Sequence, residues 1–193
     1  SQVAPASSPA ALPITCTFTN EEKVPKLRIQ NDLESVEGAT TDDITVTYRI
    51  SATNDGSLKG TTGRLTDTPD FAPGLNVRSA AVATTLEGLA SAAVQPAAAS
   101  YVLTEGADLE PGQSATWYIR MRVSRDKTTA GYSEVALECA TQNNRLTPKK
   151  GLYNRVSGDY DHDGESNNEA CAPVRPRPIR IEKAGTQPVG TQN

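Results

Sequence analysis

The stretch Asp159-Tyr160-Asp161-His162-Asp163-Gly164 holds the densest group of residues able to do chemistry. Carboxylates at positions one, three and five with glycine at six aim oxygens at one point, as a loop holding a hard cation does, and Glu165 at position seven would offer its carbonyl. Position twelve is Ala170, so the bidentate acid of an EF-hand is missing, and Glu169 stands one residue short. Asn167 or Glu169 would have to close the shell. Two readings stay open: a calcium loop, and a solvated acidic turn. Three carboxylates within five residues repel one another without a counter-ion, which favours calcium.

The thiols come next. Cys16, Cys139 and Cys171 include no CxxC pair, which argues against a protein-bound zinc site and for disulfide use outside the cytoplasm. Cys139, placed by the pattern in a strand at 132–141, and Cys171, just after the acidic loop, are the natural pair; two free buried thiols are the alternative. A bridge closing roughly 30 residues would stabilise by about 3.7 kcal/mol in the chain-entropy model. Cys16 is left over: its expected partner lies in a preceding module, with a free thiol or an intermolecular bridge as the alternatives. Nothing points to catalysis on an external substrate. His162 is the single histidine and sits among aspartates, no GxSxG occurs, no glycine loop would cradle a phosphate, and with 23 acidic residues no one carboxylate pair is marked out.

Something must position these groups, and the chain reads as strands. From Asp42 to Gly56, Ile44, Val46, Tyr48 and Ile50 share one face at period two, and the run ends on the turn signal Asn54-Asp55-Gly56. Trp117, Ile119, Met121 and Val123 repeat the pattern, and the two apolar faces are expected to close on each other as the halves of a β-sandwich. Further strands are predicted at 14–20, 27–31, 63–67, 75–85, 101–104, 115–124, 132–141, 152–157 and 179–183. The Ala-rich piece 80–100 has room for a helical turn at most. Hydrophobic residues are 36% of 193, so the core is thin and leans on cross-links or ions. A net charge of −4 without a Lys/Arg run argues against nucleic acid, and no apolar segment approaches the length of a membrane span. Residues 1–13 are small and Pro-rich, a linker by composition; any export signal is expected to have been removed or to lie outside this sequence.

Four strings occur in order: VTYRISATNDG at 46–56, LTDTPDFAPGLNV at 65–77, LEPGQSATWYIRMRV at 109–123 and GLYNRVSGDYD at 151–161. Together they resemble the conserved-repeat, immunoglobulin-like domains of surface adhesins in Gram-positive bacteria, over roughly residues 26–178. The resemblance implies an all-β, immunoglobulin-like sandwich at 22–178. It also implies a preceding linker and last-strand segment at 1–21 (ITCTFTN) and a first-strand segment of a following module at 179–193 (IRIEKAG). The function so implied is a structural stalk or adhesin module, extracellular and wall-associated, with neighbouring modules as partners. A host protein or glycan is a further partner if the Ala-rich stretch 80–100 and the loop 141–150 form a binding surface. Terminal-strand exchange would make a filament subunit.

Modules of this kind often carry a self-made bond between a first-strand lysine and a last-strand asparagine, with a buried acid moving protons. By motif match Asn154 is the amide and Asp67 the acid. The amine is missing: aligning LRIQNDL with IRIEKAG puts Asn31 where the second string has Lys183, and Lys26 lies about 17 Å back along the strand on the other face. The expectation for this domain is therefore no bond, with Asn154 capping a turn and Asp67 accepting backbone hydrogen bonds. A second version joins Lys183 of one copy to Asn20 of another, head to tail.

Overall fold

The computed structural model describes residues 25–164 and 167–175. The expected strands at 14–20 and 179–183, with Cys16, Asn20, Glu165 and Lys183, lie outside them. In chain order the strands are β1 Leu27–Glu37, β2 Asp43–Asn54, β3 Gly60–Thr61, β4 Leu65–Pro69, β5 Leu75–Ala83, β6 Val94–Pro96 and β7 Tyr101–Thr104. They continue as β8 Asp108–Leu109, β9 Ser114–Arg125, β10 Thr141–Gln142, β11 Arg145–Leu146, β12 Leu152–Gly158 and β13 Glu169–Ala172. One sheet has the order β1-β2-β9-β5-β6, the other β13-β12-β4-β7, and two small ribbons, β3-β8 and β10-β11, complete the β-sandwich.

The alternation in β2 and β9 correctly marks the buried side. Val46, Tyr48, Ile50, Ile119 and Met121 are fully buried, and Trp117 nearly so. The two strands are not opposing halves, however. They are antiparallel neighbours in one sheet, Ile50 opposite Trp117 and Tyr48 opposite Ile119, and their joint apolar face meets Leu65, Leu152 and Val156 of the second sheet. Period-two patterning tells which side of a strand is covered and is silent on which strand sits beside it. The Tyr48 hydroxyl donates to the Leu152 carbonyl at 2.6 Å, so the one polar atom of that ring ties the two layers together.

Two local expectations fail. The predicted strand at 132–141 is a single 3-10 turn, Glu134–Leu137, and Cys139 lies in irregular chain, because Ala136 and Leu137 are buried in succession and no strand alternates that way. The Asn54-Asp55-Gly56 reversal needs no left-handed residue. Buried Asn54 makes it with its side chain, Oδ1 accepting from Lys26 N and Gly56 N, Nδ2 donating to the carbonyls of Leu58 and Leu109. In the Ala-rich piece the helical turn is a 3-10 element at Glu87–Ala90, followed by β6.

Candidate functional site

Three polar side chains lie inside this apolar body, one from each of three strands. Asn31 on β1 is 4% exposed, and Asp67 on β4 and Asn154 on β12 are not exposed at all. β12 pairs with β4 so that Asn154 stands opposite Pro69 and Val156 opposite Asp67, which sets the amide beside the acid: Asn154 Nδ2 donates to Asp67 Oδ2 at 2.5 Å. Asn31 reaches across from the larger sheet, its Nδ2 3.3 Å from the Asn154 carbonyl oxygen and 3.4 Å from that of Asn168. The expected roles of Asn154 as a turn cap and Asp67 as an acceptor of backbone bonds are thus replaced by a direct side-chain pair. An acid and an amide are thus in contact in the buried interior, with a second amide, Asn31, brought to them from β1.

Burial pushes the Asp67 carboxyl up to about 7, and the Asn154 hydrogen bond opposes that rise without cancelling it. Asp67 Oδ1, Asn154 Oδ1 and Asn31 Oδ1 are buried without a partner among the described residues, three acceptors facing a shortage of donors, and a protonated Asp67 supplies one. The sign for stability follows. The folded state holds the Asp67 proton up to about pH 7, the unfolded chain only to about 4, so this contribution is complete below pH 4 and disappears as pH rises through 7. Urea melts between pH 4 and 8 should therefore show the difference between wild type and Asp67→Asn shrinking as pH rises, by a few kcal/mol at most. A difference that stays constant across that range would mean that Asp67 is ionised in the core.

The acidic loop does not gather its carboxylates at one point. Asp159 Oδ2 accepts from Arg64 N, Asp161 from Ile29 N and Asn168 Nδ2, and Asp163 Oδ2 from Asn167 Nδ2. Glu169 lies on β13 and pairs with Arg145 at 2.5 Å. Among the described residues no three His, Cys, Asp or Glu side chains are arranged to hold a metal ion. Asp161 and Asp163 do come together: burial first, then the hydrogen bond to Asp163, raises the Asp161 carboxyl. The fully buried Asn168 also has an unpartnered Oδ1 next to its bond to Asp161.

Cys139 and Cys171 form the expected disulfide, 32 residues apart in sequence. It lies against Gly151, where a Cβ would come within 3.2 Å of both sulfurs and 2.6 Å of the Ala172 carbonyl oxygen, on a backbone at φ +47°. Gly151 therefore admits the bridge into the corner between β12 and β13. Ala99 of the Ala-rich piece and Pro148 of the 141–150 loop line one depression with Tyr153 and Arg155. The residue that sequence reasoning undervalued is Asn31. Its inward parity with Leu27 and Ile29 was the available signal, since a polar residue on a buried stripe requires an explanation.

No family model matches the chain, and no curated protein does. Among solved structures it is similar to the CBM3a-L domain, with flanking linkers, of the scaffoldin cipA from the cellulosome of Clostridium thermocellum. The identity is 14%, the TM-score 0.30, and the match covers 77% of this chain and 93% of that one.

Proposed function

We propose that this chain is a load-bearing stalk module of a bacterial surface protein, extracellular and wall-associated, with neighbouring modules as its partners and no reaction on an external substrate. One observation carries the reading: the chain enters and leaves the sandwich at opposite ends. Lys26 bonds to Asn54 and Asp55 at the end of β2, while Arg175 shares the buried Arg125 guanidinium with Ala39 at the start of that strand. The 12 residues of β2 separate these poles by about 40 Å. Tension applied through the two ends loads the long β1–β2 ladder, from Leu27–Asn54 to Glu37–Thr45, along its length, so its hydrogen bonds resist together. The resemblance of the four strings to adhesin repeats and the cross-linked corner at Cys139–Cys171 support the same reading.

Single-molecule extension tests it. Pulling through the ends should require a clearly larger force than pulling through Lys26 and Asp55, which lie side by side and would unzip the same ladder one bond at a time. Equal forces would remove the stalk reading. Reduction of the disulfide should add about 110 Å of extended chain to the unfolded length, from the 32 residues it shields. Ala99 and Pro148 in one depression favour a second reading, a surface for a host protein or glycan, which a binding screen with Tyr153→Ala and Arg155→Ala separates from the first.

Calcium at Asp161 and Asp163 belongs to the same proposal. The two carboxyls are in contact, with the Arg28 guanidinium acting on Asp163, and Asn167 and Asn168 bring amides to them. Excess calcium after chelation should raise the melting temperature of wild type by several degrees and leave Asp161→Asn/Asp163→Asn unmoved. A wild-type melt indifferent to both treatments would exclude the site.

A further inference from the structure

Three arginines of the larger sheet, Arg78 on β5 and Arg120 and Arg122 on β9, take no part in the buried cluster or the acidic loop. The register shift between Val77 and Ser79 inserts Arg78 into β5 as an extra residue opposite Arg122. Its consequence can be read from burial. Leu75 and Val77 pack inward before the shift and Ala80 and Val82 after it, so Arg78 and Ser79 both turn outward. On β9, Arg120 and Arg122 lie on that same outward face, two residues and about 7 Å apart. Arg122 lines two adjoining depressions, one shared with Arg78, Asp43 and Thr45, the other with Arg120, Ser79 and Val94.

Like charges directly opposite one another destabilise a sheet. None of these three arginines makes an ion pair among the described residues, whereas Arg49 on the same face is held by Asp32 and Glu34. The chain as a whole is acidic, at −4, so the cluster is not the by-product of a basic composition. Among the described residues Asp43 is the one carboxylate lining the two depressions, and it is in ion-pair contact with neither guanidinium there.

We infer that the outward face of the larger sheet around Arg78, Arg120 and Arg122 binds an anionic polysaccharide. Guanidinium forks at this spacing match carboxylates or sulfates that recur along an extended chain. The hydroxyls of Thr45, Ser79 and Ser124, with the Tyr118 ring in the adjacent row, offer what sugar hydroxyls and ring faces need. An acidic protein segment is the competing occupant, because the depression at Arg120 and Arg122 also carries the apolar side chains of Leu89 and Val94; the recurring fork-to-anion spacing favours the polysaccharide, and poly-glutamate separates the two. This inference stands apart from the stalk reading: a module that bears load through its ends leaves this face free.

The test uses the full chain and two probes, polygalacturonate for carboxylate and heparin for sulfate, with titration calorimetry and salt elution. Wild type should bind one or both, and Arg78→Ala/Arg120→Ala/Arg122→Ala should weaken binding at least tenfold with an unchanged thermal melt. Arg49→Ala serves as the control and should bind as wild type. Should the triple variant misfold, Arg78→Gln and Arg122→Gln singly carry the measurement, each expected to weaken binding severalfold. Absent binding of either probe, equal binding by the arginine variants, or equally tight arginine-dependent binding of poly-glutamate would each overturn the assignment, the last in favour of an acidic peptide.

Discussion

Asn31→Lys is expected to install a covalent bond between β1 and β12 and to yield a folded protein lighter by one ammonia than its sequence requires. The site already holds the other parts. Asn154 presents its amide to Asp67 at 2.5 Å, and burial keeps the Asp67 carboxyl protonated up to about pH 7. The introduced amine would sit among apolar side chains, where desolvation disfavours its charged form and leaves the lone pair free for attack. It would add to the Asn154 side-chain carbon, the C–N bond to the amide nitrogen would break, and ammonia would leave with a proton relayed through Asp67. The bond would tie positions 123 residues apart, which in the chain-entropy model is worth about 5 kcal/mol. Intact mass and a tryptic cross-linked peptide decide the matter. An unshifted mass in a folded protein would mean that the geometry around Asp67 does not support the reaction, and Asn31→Lys/Asp67→Ala should abolish the shift in any case. Crowding from the longer side chain opposes the gain by about 1–3 kcal/mol, so melting alone is the weaker readout.

Removing the Cys139–Cys171 bridge is expected to have the next largest effect. It closes a loop of 32 residues around the acidic turn and the end of β12, and its loss should lower stability by about 4 kcal/mol and the melting temperature by about 8–15 °C. Cys139→Ala/Cys171→Ala is the variant to melt, because reduction leaves two thiols beside Gly151 that can rejoin. The thin core makes the number matter: with domain stabilities of about 5–15 kcal/mol, such a loss is a large share of the total. A melt within two or three degrees of wild type would show that packing around Gly151 and Ala172 carries the corner without the bridge.

How much of this was readable beforehand divides along a physical line. The buried stripes of β2 and β9, the turn at Asn54 and the pairing of Cys139 with Cys171 were legible, since side-chain parity, turn residues and the order of cysteines are properties of the chain itself. Strands β3, β6, β8, β10, β11 and β13 were missed because they are two to four residues long and are held by their partners more than by their own alternation. The inward parity of Asn31 with Leu27 and Ile29 was legible, but its approach to the carbonyls of Asn154 and Asn168 was not.

The sequence by itself determined which faces are apolar, that the protein is all-β, and that Cys139 pairs with Cys171. Only the tertiary structure decided that β2 and β9 are sheet neighbours, that Asp67 is buried deeply enough to keep its proton, that Glu169 is taken by Arg145, and that a one-residue bulge swings Arg78 beside Arg122. The reason is that pairing, desolvation and register depend on segments far apart in the chain, and alternation along one strand carries no record of its neighbour.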